Sequence, residues 1–318
     1  MDDPRLDDPH LTAPLAPFHG ERPAAPAWFS RALQHQPERR FVMVDGAKIE
    51  TLIWEPAEKP AKPGLMLLHG NGAHADWWSF LAPYLARDRR VVALSWSGMG
   101  GSDWRPLYSR AIFEREPIEV AAATRLDENG PPILIAHSFG GRIALSLIAK
   151  RPEPFGAAVI VDPPVFAPDR PWKPRPGDAQ PKPHRVYTTL AEALARFRFL
   201  PAQPCANLFI ADHIARLSLR EVPESGWTWR FDPFLWRNMK REDPAIDIRA
   251  AQRPLALIRG GASRLMRAED AVFMMSLLPE GSPSIEIPEA EHHVMIDQPL
   301  AFVAAIEALL TSWPKAGP

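Results

Sequence analysis

Short apolar runs and stretches of helical periodicity alternate along most of this sequence. Residues 41–44 and 47–54 flank an Asp45-Gly46 pair, which predicts a β-hairpin. Further apolar runs predict buried strands at 65–69, 91–95, 133–136, 157–161, 254–258 and 284–287. Helical spacing predicts helices at 28–33, 75–86, 112–126, 142–150, 268–278 and 299–310. Strands separated by helices indicate an α/β fold with a mainly parallel central sheet and helices on both faces.

The alternation is interrupted once, after the sixth predicted strand. Residues 163–183 are dense in proline and charge, which disfavours a helix or a central strand there. Two helix-like stretches, 190–199 and 206–219, and a tryptophan-rich segment follow before the alternation resumes. We therefore expect residues 163–250 to be an insertion laid over the core.

The pattern divides the rest of the chain into a core and a leading arm. The core is expected to comprise residues 26–162 and 251–318, and the chain of 318 residues is long enough for one large domain of this kind. Residues 1–25 are rich in proline and show no periodicity, so we expect a flexible N-terminal arm.

Composition excludes several classes of protein. The formal net charge of −1 provides no bulk attraction for nucleic acid, and a single cysteine, Cys205, excludes an internal disulfide. No apolar run approaches the ~18 residues that a membrane span needs, and the acidic N-terminus is unlike a signal peptide. We expect a cytoplasmic monomer or homodimer that acts on a small molecule without a cofactor or metal.

A candidate nucleophile lies between a strand and a helix. Residues 133–141 read Ile-Leu-Ile-Ala-His-Ser-Phe-Gly-Gly, with Ala136 and Gly140 two residues from Ser138 on either side. Small flanking residues allow the tight, strained turn known as a nucleophile elbow, which holds a serine hydroxyl at its tip. An ordinary turn is the alternative, but the strand before it and the helix after it favour a nucleophile.

A serine hydroxyl needs a base within hydrogen-bond reach and an acid that orients the base. His292 lies between the last predicted strand and the last predicted helix, where an imidazole can reach the sheet edge. The order of serine first and histidine near the C-terminus favours His292, and its neighbour His293 is the second candidate.

An oxyanion would need backbone N–H donors. Phe139 directly follows the candidate nucleophile and supplies one such group. The strand at 65–69 leads into His69-Gly70-Asn71-Gly72, where glycine allows an amide to turn inward, so the Asn71 N–H is the expected second donor. A plain glycine-containing turn is the alternative interpretation.

Four segments together resemble the α/β-hydrolase family: residues 69–78, 95–103, 136–141 and 290–299. The resemblance implies an α/β-hydrolase fold from about residue 40 to the end, apart from the insertion. It also identifies the insertion with the family's helical cap, which covers the active site and shapes the choice of substrate.

The acid departs from the family's common pattern. Members often carry an aspartate after the strand that follows the cap, but this sequence has Ser263 there, and serine cannot stabilise an imidazolium by charge. Some members, including certain haloalkane dehalogenases, place the acid at the end of the strand before the cap, where this chain has Asp162. We expect Asp162 to be the acid; a hinge role is the alternative, and Glu269 and Asp270 are more remote candidates.

The type of nucleophile limits the classes of reaction that the protein can catalyse. Haloalkane dehalogenases and epoxide hydrolases of this fold attack with aspartate, so Ser138 argues against both. Serine suits acyl transfer, and the resemblance implies hydrolysis of a carboxylic ester, thioester or lactone through an acyl-serine. A carbon–carbon hydrolase of the meta-cleavage type and a non-catalytic small-molecule receptor stay open as alternatives. The residues expected to contact substrate are His69, Gly70, Trp77 and Trp229.

Overall fold

The structure, a computed structural model, describes residues 8–169, 181–237, 239 and 242–312. Its strands are β1 (Glu38–Val44), β2 (Ala47–Trp54), β3 (Leu65–Leu68), β4 (Val91–Leu94), β5 (Ile133–His137), β6 (Ala157–Val161), β7 (Leu219–Val222), β8 (Gly226–Trp229), β9 (Leu255–Gly260) and β10 (Ser284–Ile287). Eight of them form one sheet in the order β1-β2-β4-β3-β5-β6-β9-β10, and β7 pairs with β8 separately. The hairpin strand β2 runs antiparallel to β1 and β4, and the remaining neighbours are parallel.

The helices are α1 (Pro9–Thr12), α2 (Ala27–Gln34), α3 (Ala82–Leu85), α4 (Arg110–Ala123), α5 (Phe139–Lys150), α6 (Leu190–Leu194), α7 (Leu208–Leu217), α8 (Pro244–Arg249), α9 (Ala268–Leu277), α10 (Val294–Asp297) and α11 (Pro299–Ser312). Short 3-10 helices occupy Ala16–Phe18 and Ala75–Trp78. Within the described part of the chain, no helix is long and apolar enough to cross a membrane.

Both faces of the sheet are covered, which explains why the central strands are apolar throughout. Every residue of β3, β4 and β6 is buried. Because successive side chains of a strand point to opposite faces, Leu65 and Leu67 enter one core and Met66 and Leu68 the other. The mainly parallel sheet predicted from the sequence is confirmed.

The parallel arrangement decides where a site can form. Chain segments that follow β3, β4, β5, β6, β9 and β10 all leave the sheet at the same edge, since the carboxyl ends of parallel strands meet there. Ser138 directly follows β5, and Asp162 directly follows β6. The loop that carries His292 follows β10.

The segment between β6 and β9 contains α6, α7, α8 and the hairpin of β7 and β8. The sequence predicted helices only, whereas the tryptophan-rich residues Gly226–Trp229 form a strand. Gly226 has a φ of +115°, and Trp227 pairs through its backbone with Tyr187, so the turn and the added pairing favour extended chain. We keep the name cap for this segment; its residues 170–180 lie outside the described residues.

Residues 1–25, which we expect to form a flexible N-terminal arm, include three residues with buried or bonded groups. Leu11 and Leu15 are buried, and the carbonyl of Gly20 accepts a hydrogen bond from Arg216 of α7. Leu11, Leu15 and Gly20 thus contact other parts of the protein, whereas residues 21, 22, 24 and 25 are exposed, and the flexible arm stays a prediction. Residues 1–7 lie outside the described residues.

Candidate active site

Ser138 occupies a sharp turn between β5 and α5. Its backbone has φ +53° and ψ −114°, a conformation that non-glycine residues rarely adopt. The Ser138 N–H donates to the Val161 carbonyl at 2.9 Å, and its carbonyl accepts from the Arg142 N–H at 3.2 Å. A Cβ on Gly140 would lie 2.7 Å from the Leu68 carbonyl oxygen, so the elbow requires a glycine at that position.

Three side chains from separate segments meet at this turn. His292 Nε2 lies 3.0 Å from the Oγ of Ser138, and His292 Nδ1 lies 2.8 Å from Oδ2 of Asp162. The exposed fractions are 8% for Ser138, 2% for His292 and 0% for Asp162. Little water can compete for these hydrogen bonds, and their electrostatic component is strengthened by burial.

The carboxylate of Asp162 is held by two further donors. Its Oδ1 accepts the Gly260 N–H at 3.1 Å, and its Oδ2 accepts the Ser263 hydroxyl at 2.6 Å. Ser263, which stands where the family often has its acid, thus donates to a carboxylate that comes from a different strand. A Cβ on Gly260 would lie 2.3 Å from the Glu291 carbonyl oxygen, so glycine also lets the strand end approach the histidine loop.

The other acidic candidates lie elsewhere. The carboxylate of Asp270 is buried and accepts the N–H groups of Ala167 at 2.8 Å and Arg267 at 3.1 Å, which caps α9. Glu269 is exposed in the first turn of the same helix. The structure brings neither of them to His292.

His293 points away from the hydroxyl that His292 faces. Its ring contacts Trp77 and Phe199, with centroid distances of 5.2 Å to each. Burial lowers the pKa of His293 well below its usual range, so the ring stays neutral and packs as an apolar group. The structure therefore places His292, and not His293, between Ser138 and Asp162.

Three histidines could be suspected of holding a metal ion. The ligand atoms of His137, His292 and His293 lie within 4.8 Å of one another. However, both nitrogens of His292 already face Ser138 and Asp162, and His137 Nε2 donates to the His292 carbonyl at 3.0 Å. An ion would have to break these bonds, so the cluster is better explained as support for His292.

The loop after β3 touches the elbow. A Cβ on Gly70 would lie 3.1 Å from the Cβ of Ser138, so the backbone of this loop lies directly beside the hydroxyl-bearing residue. Among the described residues, the backbone N–H groups of Asn71 and Phe139 donate to no protein acceptor. One of these amides thus directly follows Ser138, and the other lies in the loop that contacts it.

His69 is buried beside this loop and stabilises it through hydrogen bonds. It is 1% exposed; its Nδ1 bonds to the Gly70 carbonyl at 2.7 Å and its Nε2 accepts the Trp96 N–H at 3.1 Å. Burial lowers the pKa of His69 to about 3, which keeps the ring neutral. Both ring nitrogens are thus occupied, which leaves no polar atom of His69 for the substrate contact that the sequence predicted.

The two tryptophans expected to contact substrate differ in position. Trp77 packs against His293 and against Phe199 of the cap, close to His292. The ring contacts of Trp229 within the described residues are with Tyr187 and Phe197, inside the cap. The structure brings Trp77 to the site and does not bring Trp229 there.

For Trp236 the tryptophan-rich sequence leaves two roles open, lining a substrate pocket or packing the cap onto the core. Its indole Nε1–H donates to Oδ1 of Asn71 at 2.9 Å, and its ring meets Phe139 edge-on at 5.1 Å. Trp236 is 42% exposed, so it lies at the surface of the cap and still touches both residues that carry the free amides. The tryptophan-rich composition of residues 226–236 was the available signal.

Comparisons with known proteins agree with this geometry. The model of the alpha/beta hydrolase family matches residues 65–306. Human monoglyceride lipase is 24% identical over 292 residues, covering 86% of this chain and 88% of the lipase. The esterase Rv0045c of Mycobacterium tuberculosis is 24% identical over 266 residues, covering 78% of this chain and 83% of the esterase.

A solved structure supports the fold. The thioesterase domain from the curacin biosynthetic pathway superposes with a TM-score of 0.67 at 21% identity, covering 85% of this chain and 99% of that domain. The family match extends over most of the chain and includes Ser138, Asp162 and His292. The chain belongs to the alpha/beta hydrolase family and is related to lipases and esterases.

Proposed function

We propose that this protein is a serine hydrolase that cleaves a carboxylic ester of a small organic substrate, with Ser138 as nucleophile, His292 as general base and Asp162 as the acid that orients it. The continuous hydrogen-bond chain from Ser138 Oγ through His292 to Asp162 carries the proposal. Similarity to a lipase and an esterase over most of the chain supports ester hydrolysis as the reaction.

The geometry suits the first half of this reaction. His292 Nε2 takes the hydroxyl proton as Ser138 Oγ attacks the ester carbonyl carbon, and Asp162 stabilises the imidazolium through Nδ1–H. The carbonyl oxygen becomes an oxyanion, to which the N–H groups of Asn71 and Phe139 donate. The intermediate then collapses, His292 returns the proton to the leaving alkoxide, and the alcohol departs.

The second half uses the same groups with water as nucleophile. His292 takes a proton from water as the water oxygen attacks the acyl-serine carbonyl carbon. The tetrahedral intermediate then collapses, His292 returns the proton to Ser138 Oγ, and the carboxylic acid departs. Aromatic rings pack on neighbours of these groups: Phe139 meets Trp236, and Trp77 and Phe199 pack on His293. We therefore propose that the ester carries an apolar or aromatic group.

A covalent probe and a substrate panel test this proposal. A fluorophosphonate should label Ser138, and p-nitrophenyl esters of increasing acyl length, a monoacylglycerol, a thioester, a lactone and a meta-cleavage product should be compared for turnover. Ester turnover with Ser138 labelling supports the proposal. Preferred cleavage of the meta-cleavage product would indicate a carbon–carbon hydrolase, and failure to label or turn over any compound would indicate a receptor.

We expect Asp162→Asn to lower turnover on the order of 10³–10⁴-fold. An amide keeps the side-chain volume, but it cannot stabilise an imidazolium and favours the wrong tautomer of His292. Ser263→Ala should cost far less, about 10-fold, because it removes one hydrogen bond to a carboxylate that keeps its charge. Steady-state kinetics on the best ester of the panel provide the measurement.

Asp270→Asn is the matched control for the acid, since Asp270 is also a buried aspartate that accepts two backbone N–H groups. It should lower the melting temperature and leave turnover nearly unchanged. A folded Asp162→Asn protein that remains as fast as the wild type would show that the acid lies elsewhere.

The proposed oxyanion donor Asn71 can be tested through Trp236. Trp236→Phe keeps a ring against Phe139 but releases the Asn71 side chain, so turnover should fall about 2- to 10-fold, the usual effect of one hydrogen bond. Asn71→Ala, which keeps the backbone N–H, should fall by a similar factor, and the double variant no further. If the losses of turnover in the two single variants added fully in the double variant, a coupling between Trp236 and Asn71 would be excluded.

A further inference from the structure

The loop that carries His292 is fixed through its backbone on both sides of that residue. The Glu291 N–H donates to Oδ2 of Asp297 at 2.8 Å, and the His293 N–H donates to Oε1 of Gln203 at 2.9 Å. Glu291 and His293 are the two neighbours of His292 in sequence. The Ala290–Glu291 and His292–His293 peptide units are therefore each anchored by a side chain from another part of the protein.

These two side chains are also bonded to each other. Gln203 Nε2 donates to Asp297 Oδ1 at 3.0 Å and to Oδ2 at 2.9 Å. Gln203 belongs to the cap, lies between α6 and α7 and is 1% exposed, whereas Asp297 ends α10 of the core. A closed ring of hydrogen bonds thus runs from Glu291 through Asp297 and Gln203 to His293.

A third bond fixes the carbonyl of His292 itself. His137 Nε2 donates to the His292 carbonyl at 3.0 Å, and burial lowers the pKa of His137 so that its ring stays neutral. The imidazole of His292 must reach Ser138 with one nitrogen and Asp162 with the other. A small rotation of its backbone would lengthen both of these bonds together.

We propose that Gln203 and Asp297 are positioning residues for the reaction. Through them, the cap keeps the imidazole of the general base within hydrogen-bond distance of Ser138 and Asp162. This inference rests on the proposed function. The role of Gln203 depends on its side-chain amide, which accepts a hydrogen bond from the His293 N–H and donates to the carboxylate of Asp297.

Asn207 offers a matched control on the same side of the cap. Its Nδ2 donates to the carbonyls of Ile296 at 2.8 Å and Asp297 at 3.1 Å, so it also ties the cap to α10. It makes no hydrogen bond to the amides that flank His292 among the described residues. Loss of Asn207 should weaken the docking of the cap without moving His292.

The first test removes one side of the pair at a time. Gln203→Met keeps the side-chain volume and loses the three hydrogen bonds that the Gln203 side chain makes. Asp297→Asn replaces an acceptor oxygen by an amide N–H group, so this group faces the N–H donor of Gln203. Each should lower kcat about 10- to 100-fold, the cost of a misplaced catalytic group, with KM within about twofold of wild type. Asn207→Ala should lower the melting temperature comparably and leave kcat unchanged.

The second test exchanges the pair. In the double variant Gln203→Glu/Asp297→Asn, the carboxylate at position 203 accepts from the His293 N–H and from the amide at position 297, whose oxygen accepts from the Glu291 N–H. Three of the four hydrogen bonds are restored with the partners reversed, and the bond from position 203 to Oδ2 is lost because two oxygen atoms meet there, so kcat should recover about 3- to 10-fold over Asp297→Asn alone. This comparison decides the matter even where Gln203→Met does not fold.

Three results would overturn the inference: a Gln203→Met protein with wild-type kcat, an Asn207→Ala protein that loses kcat equally, or a double variant no faster than Asp297→Asn. Each of these can occur while the wild type still shows Ser138-dependent turnover, in which case only the inference fails. A wild type without Ser138-dependent labelling or turnover would overturn the proposed function, and this inference with it.

Discussion

Ser138→Ala should abolish covalent labelling by a fluorophosphonate and lower ester turnover on the order of 10⁶-fold. Among the serines that the structure describes, Ser138 alone has its hydroxyl bonded to His292, and the methyl group of alanine cannot form an acyl-enzyme. The fold should persist, because the backbone bonds that define the elbow, from the Ser138 N–H and to its carbonyl, do not involve the hydroxyl. Intact-protein mass spectrometry, initial rates and thermal melting give the three readouts.

Ser146→Ala is the matched control for this substitution. Ser146 lies in α5, two turns after the elbow, is fully buried, and donates its hydroxyl to Glu114. Its replacement should lower stability and leave labelling intact. Labelling that persists in Ser138→Ala and disappears in Ser146→Ala would mean that the reactive serine had been wrongly identified.

The central strands could be predicted because both their faces are buried. A strand such as β3, with Leu65–Leu68 divided between two cores, must be apolar at every position, and a short apolar run bounded by turn residues reveals it. The predicted helix at 75–86 is instead a 3-10 turn followed by α3. The hydroxyl of Ser95 accepts the Ala75 N–H at 2.9 Å, a contact from a neighbouring strand end that periodicity cannot show.

The geometry at Ser138 and Asp162 could be anticipated for a similar reason. Each directly follows a parallel strand, so the order of the strands alone brings the two side chains to one edge of the sheet. Both have positive φ, which turns the chain sharply at the point where the side chain is presented. The prediction of Asp162 as the acid, in place of Ser263, depended on the resemblance to family members that carry the acid at the end of the strand before the cap.

Gln203 could not be found in this way. It lies 90 residues from His293 in sequence, in a segment without strand or helix periodicity, and glutamine in such a segment is usually exposed. Its contact with the histidine loop depends on how the cap docks on the core. That docking is a sum of many side-chain contacts, which the pattern of one sequence does not contain.

His292→Ala should lower turnover nearly as far as Ser138→Ala, also on the order of 10⁶-fold, because nucleophile and base act as a unit. Steady-state kinetics on the best ester of the panel provide the measurement, with thermal melting to verify the fold. A folded His292→Ala protein that keeps wild-type turnover would exclude His292 as the base.

His293 supplies the matched control, since it is the adjacent residue, of the same type and equally buried. His293→Phe keeps a ring against Trp77 and Phe199 and leaves the backbone bond to Gln203 in place, so it should retain turnover within about tenfold of wild type. His293→Ala should retain activity too, but with a lower melting temperature, because it opens a cavity between those rings. The reverse ranking of His292→Ala and His293→Phe would assign the base to His293 and would require the loop to rotate by one residue, against all three of the backbone bonds that now fix it.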